Sequence, residues 1–557
     1  MKTFKVIVFL LMFVISFPIT SCDSLDKINE DPNSPEQVAS NYILTWTLVN
    51  MAKDYDAKGG IGSPIASLLQ YYQRGISGGD RLNSYKWEAE DFKDYYAMLR
   101  NVKLIHESAV ADGNKIFEGI SLTLRASLYG TMTDLWGDCP YSESLRANEE
   151  IFFPKYDAQI DIYKGILADL KSADQVFSDP GIGNYNVGAS DVMYKGDAAK
   201  WKKLANSLRL RYCMRLIEKR SEMTAAGVDI VAEFNDAVSK AFTSNSDDAF
   251  VTWLGTTKDN SYTYGPMNRI NLSLDYKPCH TIIDYMRDIK DPRFYRWFRP
   301  VVTKWDYNIS QETVKTHTTM FGDSYSITWK PTTDASLDTS LYVGLSVGLL
   351  GQQAVQFNSA GTYVGKEDEN PYVANAHNRY LMNMESYVRM DIMGYAEVEF
   401  LLAEAAERGG FSISGSAENH FKNAIVASFA RWGIQNNANG FVFDTYYANP
   451  EVDYTAANNK IERIIQQKWM ALYLQMEPWF DWRRTGYPDL KTGAYAYYGP
   501  ALPLRYQYPT PSQDPKYLVN YNVAVGNLEK TTYVPAGQSA DHPYSKMWLI
   551  KGTGKPY

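Results

Sequence analysis

Glu397, Glu399 and Glu404 are the closely spaced acids of this 557-residue chain that could do acid–base chemistry. On a helix, their steps of two, five and seven residues bring Glu397 and Glu404 to similar azimuths and turn Glu399 well away. A retaining glycosidase needs two carboxyls ~5–5.5 Å apart across a cleft, which two turns of one helix do not supply. The spacing therefore favours capping and helix–helix ion pairs over catalysis. The run Trp479-Phe480-Asp481-Trp482-Arg483-Arg484 sets an acid and two guanidiniums among three bulky rings. A bidentate Asp–Arg pair with ring stacking would pin the end of the preceding helix. His106, His280, His317, His377, His420 and His542 are scattered without ligand spacing, and no CxxC occurs, so no metal site and no cofactor are expected. The acidic run Lys366–Asn370 lacks the EF-hand pattern, and Gly78-Gly79 and Gly409-Gly410 read as turns rather than a phosphate cradle.

The aromatic residues point to different chemistry. The chain holds 42 Tyr, 13 Trp and 23 Phe, an unusual 14% of its residues that proves nothing alone. Sugars present flat C–H faces and a rim of hydroxyls, so a sugar site wants exposed rings beside Asn, Asp, Gln or Arg. Three places fit: Tyr71-Tyr72-Gln73-Arg74 with Asp80–Asn83, Trp253 with Asp259–Tyr264, and Trp305-Asp306-Tyr307-Asn308. The candidate ligand residues are Tyr72, Arg74, Asn83, Trp253, Asn260, Tyr262, Tyr264, Trp305 and Tyr307, with Tyr325 and Trp329 extending the platform. Each ring has a plainer reading, packing beneath a loop or against a partner, and Tyr71-Tyr72 also reads as part of a core helix.

These residues need a scaffold. The N-terminal half reads as successive helices: 35–55, opened by Ser34, then 89–111, 115–136, 157–177 and 197–219. In the last, Trp201, Ala205, Leu208, Tyr212 and Leu216 recur at helical steps and make one apolar face. Residues 245–380 are rich in Tyr, Thr, Gly, Asn and Asp, with short strand-like pieces such as Tyr325–Trp329. Helices resume at 394–408, 416–430 and 460–476, and the last 80 residues read as extended over the surface. The fold class is mainly α: paired helices stacked as a curved scaffold, with a long loop-rich insertion and few short strands. An insertion that long and that aromatic reads as functional rather than disordered.

Charge and hydropathy exclude other classes. Sixty-four acids against 56 bases give −8, and mean hydropathy is −0.36, so neither a nucleic-acid surface nor a polytopic membrane protein is indicated. The single long apolar run is N-terminal. Residues 1–21 carry Lys2 and Lys5, then Val6–Phe17, then Pro18, which is the layout of a secretory signal and too short to span a bilayer. Ile19-Thr20-Ser21-Cys22 resembles a lipoprotein cleavage box, with Cys22 as the lipidation site and residues 22–34 as a solvated tether. Several acyl chains at Cys22 would anchor the protein stably without crossing the membrane. The plainer reading is an ordinary signal with a chance cysteine. Cys139, Cys213 and Cys279 are far apart and odd in number, so no disulfide framework is implied.

Several segments together resemble a known family. They are Leu25-Asp26-Lys27-Ile28-Asn29-Glu30-Asp31-Pro32-Asn33-Ser34-Pro35 and Asp134-Leu135-Trp136-Gly137-Asp138-Cys139-Pro140-Tyr141-Ser142-Glu143-Ser144-Leu145. They continue with Tyr194-Lys195-Gly196-Asp197 and Trp201–Arg211 as a third, Tyr395–Ala405 as a fourth and Trp479–Arg484 as a fifth, and the match ends with Pro503–Tyr506 and Tyr508-Pro509. Five dispersed motifs in the right order resemble the SusD/RagB family of nutrient-binding outer-membrane lipoproteins of Bacteroidetes, in its SusD-like subgroup. Cys139 departs from the aliphatic residue common there, which touches packing alone. The resemblance implies tetratricopeptide-like helix pairs over one domain from 35 to 557, with the binding region at about 245–380. It also implies an outward-facing outer-membrane location, no enzymatic activity, and a SusC-like TonB-dependent barrel as partner.

The leading expectation is a surface lipoprotein that captures an oligosaccharide and delivers it to that barrel. The same architecture could capture peptides, as in the RagB branch; strand-edge donors and acceptors would then replace a flat aromatic platform. A surface glycan-degrading enzyme would need two carboxyls in one cleft beside the aromatic loops. A purely structural role at the barrel would need no pocket.

Overall fold

The computed structural model describes residues 39–76, 80–254, 257, 275–361, 370–377, 387–509 and 514–557. The signal segment, Cys22, the tether, Gly78-Gly79, Asp259–Tyr264 and Lys366–Glu369 lie outside the described residues.

The scaffold is built from helices α1 (Ser40–Gly59), α2 (Lys93–Ala111), α3 (Lys115–Trp136), α4 (Gln159–Val176) and α5 (Ala198–Arg215), each packed on the next. Local chemistry sets several starts. The Asn114 side chain accepts from Phe117 N at the head of α3, and the Asp197 carboxylate accepts from Ala199 N and Lys200 N at the head of α5. α3 is buried on every side because α2, α4 and α5 all pack against it. Gly130 sits where α3 meets α5: a Cβ there would lie 2.0 Å from the Tyr212 hydroxyl.

After the loop-rich stretch come α6 (Tyr395–Arg408), α7 (Ala417–Arg431), α8 (Lys460–Ala471) and α9 (Glu477–Thr485). α6 packs on α5, α7 and α8, and α9 reaches back to α5, so the two halves share one core running from Leu44 to Ile550. Mainly helical architecture in stacked pairs is what the periodicity predicted. The boundaries differ in places. The expected 460–476 helix ends at Ala471, because Leu474 takes φ 62° and Pro478 belongs to the first turn of α9, where its missing N–H is harmless. The 197–219 helix ends at Arg215 in a single 3₁₀ turn, and α2 starts at Lys93 rather than 89. The first helix has Ala39 at its N-cap, with no side-chain cap; Ser34 lies outside the described residues.

Buried ion pairs join the halves. Arg211 of α5 forks onto Glu397 of α6 at 2.7 and 2.6 Å. Arg215 binds Glu477 of α9 and approaches Asp134 of α3 at 3.1 Å. Asp481 pairs with Lys468 at 2.8 Å and with Arg484 at 2.6 Å, while Arg484 also holds Glu404. The Arg483 guanidinium lies 4.6 Å from the Trp479 ring. These contacts pin α9 to α8 and α6, the structural role expected of the Trp479–Arg484 motif.

The loop-rich stretch is not free of regular structure. β1 (Tyr72–Arg74) pairs antiparallel with β2 (Tyr276–Pro278), so Tyr72 lies in a strand rather than a core helix. The nine-residue helix His280–Asp288 follows β2. A three-stranded sheet has β3 (Thr303–Asp306) parallel and β4 (Thr313–Thr318) antiparallel to the central β5 (Ser324–Pro331). Beyond α9 the last residues are largely irregular, but they do not simply extend over the surface: Leu504, Tyr506, Tyr508, Met547 and Ile550 are buried in the main core, whereas the helix Pro515–Gly526 buries Ala524 alone. No described helix is long and apolar enough to cross a membrane.

Candidate functional site

Several residues singled out in the sequence turn out to support the loop face from beneath. Tyr72 is buried; its hydroxyl lies 2.6 Å from that of Tyr473, and its ring leans on Phe298. Asn83 is buried as well. Its carbonyl accepts from Arg74 N, and its amide donates to the Arg74 and Leu349 carbonyls at 2.9 and 2.7 Å. Arg74 is half-buried in β1. Trp253 is buried in the main core. Trp305, 7% exposed, stacks on Tyr372 at 4.7 Å and donates to the Asn358 carbonyl at 2.8 Å. The expectation of exposed rings at Tyr72, Trp253 and Trp305 is thereby corrected. A segment with few helices must build its own core, and large rings supply most area per residue. Trp305, Tyr372 and Leu337 form such a satellite cluster.

Others remain near the surface. Tyr307 is 48% exposed, its hydroxyl donating to the Asp334 and Leu337 carbonyls. Tyr325 is half-buried against His377, their hydroxyl and Nε2 2.7 Å apart. Trp329 is half-buried on β5, with the Lys304 and Lys315 ammoniums 4.1 and 3.8 Å from its ring centroid. Asn260, Tyr262 and Tyr264 lie outside the described residues.

The structure adds an aromatic surface absent from the sequence-based candidates. Tyr495 and Tyr497 are 42% and 57% exposed. They sit where segments 80–86, 348–353 and 491–498 meet. Tyr497 N donates to the Ser84 carbonyl at 2.9 Å, and the Gln353 amide donates to the Tyr495 hydroxyl at 2.6 Å. Gly351 N donates to the Asp80 carboxylate at 3.0 Å. Gly493 lets the backbones touch: its φ is +74°, and a Cβ there would lie 2.2 Å from the Val347 carbonyl oxygen. Tyr498 turns inward onto His542 and Tyr544 and anchors the segment. Lys86 Nζ stands 4.0 Å from the Tyr497 ring. Exposed rings beside an amide, a carboxylate and an ammonium are the parts that stack on a sugar face and bond its hydroxyls. The Tyr495-Ala496-Tyr497-Tyr498 run is visible in the sequence; its meeting with Asp80 and Lys86, some 400 positions away, is not.

The acids expected to be structural are partnered. Glu397 binds Arg211, and Glu399 accepts from the Tyr395 hydroxyl and contacts His420 Nδ1 at 2.7 Å. Burial alone would raise Glu404, but the Arg484 and Arg408 guanidiniums outweigh it and hold the carboxyl below its usual range. Burial likewise opposes ionisation of Asp481, and Lys468 and Arg484 overcome it, leaving that carboxyl well below the ordinary value. Cys139, Cys213 and Cys279 are buried free thiols, and burial pushes all three up. Among the described residues no group of three or more His, Cys, Asp or Glu could hold a metal ion.

Solved structures of the same shape are numerous. A SusD homolog from Bacteroides fragilis superposes with a TM-score of 0.69 at 21% identity, covering 92% of this chain and 100% of its own. A chitin-binding protein gives 0.67 at 24% identity, over 92% of this chain and 99% of its own. A SusD/RagB family protein from Bacteroides thetaiotaomicron gives 0.65 at 22% identity, over 93% and 100%. At these identities the likeness establishes the fold. No curated protein matches the chain. Residues 32–328 and 342–509 match the SusD-like family described as starch-binding and associating with the outer membrane, and the chain belongs to that family.

Proposed function

We propose that this protein captures an oligosaccharide at the bacterial surface and passes it to a SusC-like TonB-dependent barrel, without acting on it chemically. The observation that carries the reading is the Tyr495–Tyr497 surface with Gln353, Asp80 and Lys86, on the loop face of a SusD-like scaffold. The family's description and the chitin-binding relative support a glycan ligand. A binding role needs no paired acids in a cleft, and Glu397, Glu399 and Glu404 are engaged within the helical scaffold. Cleavage before Cys22, lipidation there and an outward-facing outer-membrane location complete the reading. They rest on the layout of residues 1–34 and on the family's association with the outer membrane.

Calorimetric titration of the protein against oligosaccharides and peptides tests it. Binding of one glycan class, weakened at least about tenfold by Tyr495→Ala/Tyr497→Ala, is the expected result. Equal binding by that variant removes the assigned surface. Co-purification of the lipidated protein with a barrel, lost on Cys22→Ala, tests anchoring and partner. Peptide capture keeps a specific observation in its favour. Among the described residues β4 pairs only with β5, so its outer edge offers free backbone donors and acceptors to an extended chain. Peptide heat without glycan heat would move the assignment there.

A further inference from the structure

Most charged groups in the folded core are matched in pairs, but the indole of Trp329 is attended by two cations and no acid. Trp329 stands on the central strand of its sheet, between β3 and β4. Lys304 of β3 is its direct register partner, and Lys315 of β4 pairs with Ile327, two residues along the same face. Their ammoniums approach the ring from the two flanking strands, 4.1 and 3.8 Å from its centroid. The two charges are therefore no further apart than the screening length at physiological salt, about 8 Å.

Neither has an ion-pair partner among the described residues. Lys304 Nζ donates to the Trp305 carbonyl at 3.0 Å, and Lys315 makes no hydrogen bond or ion pair among the described residues. Asp306 and Asp338 act on Lys304 through space, and neither forms an ion pair with it among the described residues. Asp306, on the same face, accepts from Asn308 N at 2.9 Å, and Glu312 lies 3.7 Å from Lys330. Burial is the main cause that holds the Lys304 ammonium below its usual range; Asp306 and Asp338 oppose it and Lys315 adds to it. Burial likewise lowers His317 on β4, so it adds no charge near neutral pH.

We propose that Lys304 and Lys315, held against the Trp329 indole, form a clasp for an anionic group of the captured glycan, a uronate carboxylate or a sulfate ester. An oxyanion at the edge of the ring, within reach of both ammoniums, would offset their charge and accept from them. The ring orders the two long stems beforehand, so less side-chain freedom is lost on binding. Trp329 is half-buried and has two cations at its ring, whereas Tyr497 has one and Tyr495 none, so the tyrosines are the better stacking faces. Stacking belongs to Tyr495 and Tyr497, and charge selection to the clasp.

The proposal rests on the glycan reading, and its test separates the two. The mature protein is titrated with an oligogalacturonate, a sulfated oligosaccharide and a neutral oligosaccharide of equal length, at low and high salt. Lys304→Gln/Lys315→Gln and Tyr495→Ala/Tyr497→Ala are run beside it, with circular dichroism as the check on folding. The expected result is that one acidic glycan binds roughly tenfold or more tighter than the neutral one, that salt erodes the advantage, and that the lysine variant abolishes it while neutral binding persists. Acidic glycans binding equally well to the wild type and the lysine variant would overturn the clasp, as would a wild type that prefers the neutral sugar. Loss of all glycan binding in the tyrosine variant alone would leave the capture reading standing without the clasp. A wild type that binds no glycan at all would overturn both.

Discussion

The helical core and the loop face handle the same residue types in opposite ways. In the core, Arg211, Arg215 and Arg484 are buried, and each is matched to a carboxylate: Glu397, Glu477 and Glu404. Outside the helices Lys86, Lys304 and Lys315 lean on rings with no ion pair of their own among the described residues, and Tyr495 and Tyr497 stay exposed. A buried charge left unmatched is costly, so the core has no freedom to keep one. A half-exposed ammonium costs little while water solvates it, and it stays available to a ligand. The paired network specifies which helices meet; the unpaired groups are where recognition can occur.

Breaking the core side of this contrast should have the largest effect. Arg211→Met leaves Glu397 buried without its bidentate partner, and removal of one member of such a pair costs about 3–5 kcal/mol. Urea denaturation should show the midpoint falling sharply, and a shift under about 0.5 kcal/mol would mean that the network carries no stability. Acid should probe the same network without mutation. Glu404 and Asp481 have folded-state values below their ordinary ones, so they bind protons less readily when folded than when unfolded. Their stabilisation is fully present above the unfolded carboxylate range near pH 4, and it is lost as pH falls through that range toward the lower folded values. Denaturation midpoints at about pH 7 and about pH 3 should differ, and Glu404→Gln should narrow the gap by lowering the neutral-pH value.

Asn83 sharpens the contrast at the boundary between the regions. It was a candidate ligand residue, yet it is buried and bonded to the Arg74 and Leu349 backbones. Asn83→Ala should cost about 1–3 kcal/mol by orphaning those groups. Any loss of ligand affinity should track the loss of folding in thermal melts. A stable variant that has lost binding would return Asn83 to the site.

Asn83 also marks how far sequence reasoning reaches. Helix periodicity placed α3, α4 and α6 to within a residue or two, because an apolar stripe is written locally in the order of residues. The structural role of Trp479–Arg484 was legible for the same reason: the charges and rings that satisfy one another lie mostly within a few turns. The proposed site is legible in the sequence only in its kind. Trp305 and Tyr307 are two residues apart, yet one stacks inside on Tyr372 and the other is exposed, a choice made by segments distant in sequence. Nothing local marks Tyr495 and Tyr497, because their partners, Gln353 and Ser84, arrive from other parts of the chain.

The smallest effect on folding should come from the loop face itself, and there it is most informative. Tyr497 is anchored through its backbone, by the bond to the Ser84 carbonyl, and Tyr498 supplies the buried ring beside it. Removing the exposed rings therefore takes away little packing. Tyr495→Ala/Tyr497→Ala should leave stability within about 0.5 kcal/mol, less than any core variant considered above. Glycan affinity should nonetheless fall about tenfold or more, close to 1.4 kcal/mol, because the stacking faces are gone. Denaturation and calorimetry on the same preparation separate the two quantities. If stability drops in step with binding, these tyrosines belong with Trp305 as core placed under loops; if binding alone falls, the unpaired surface is the one that recognises the ligand.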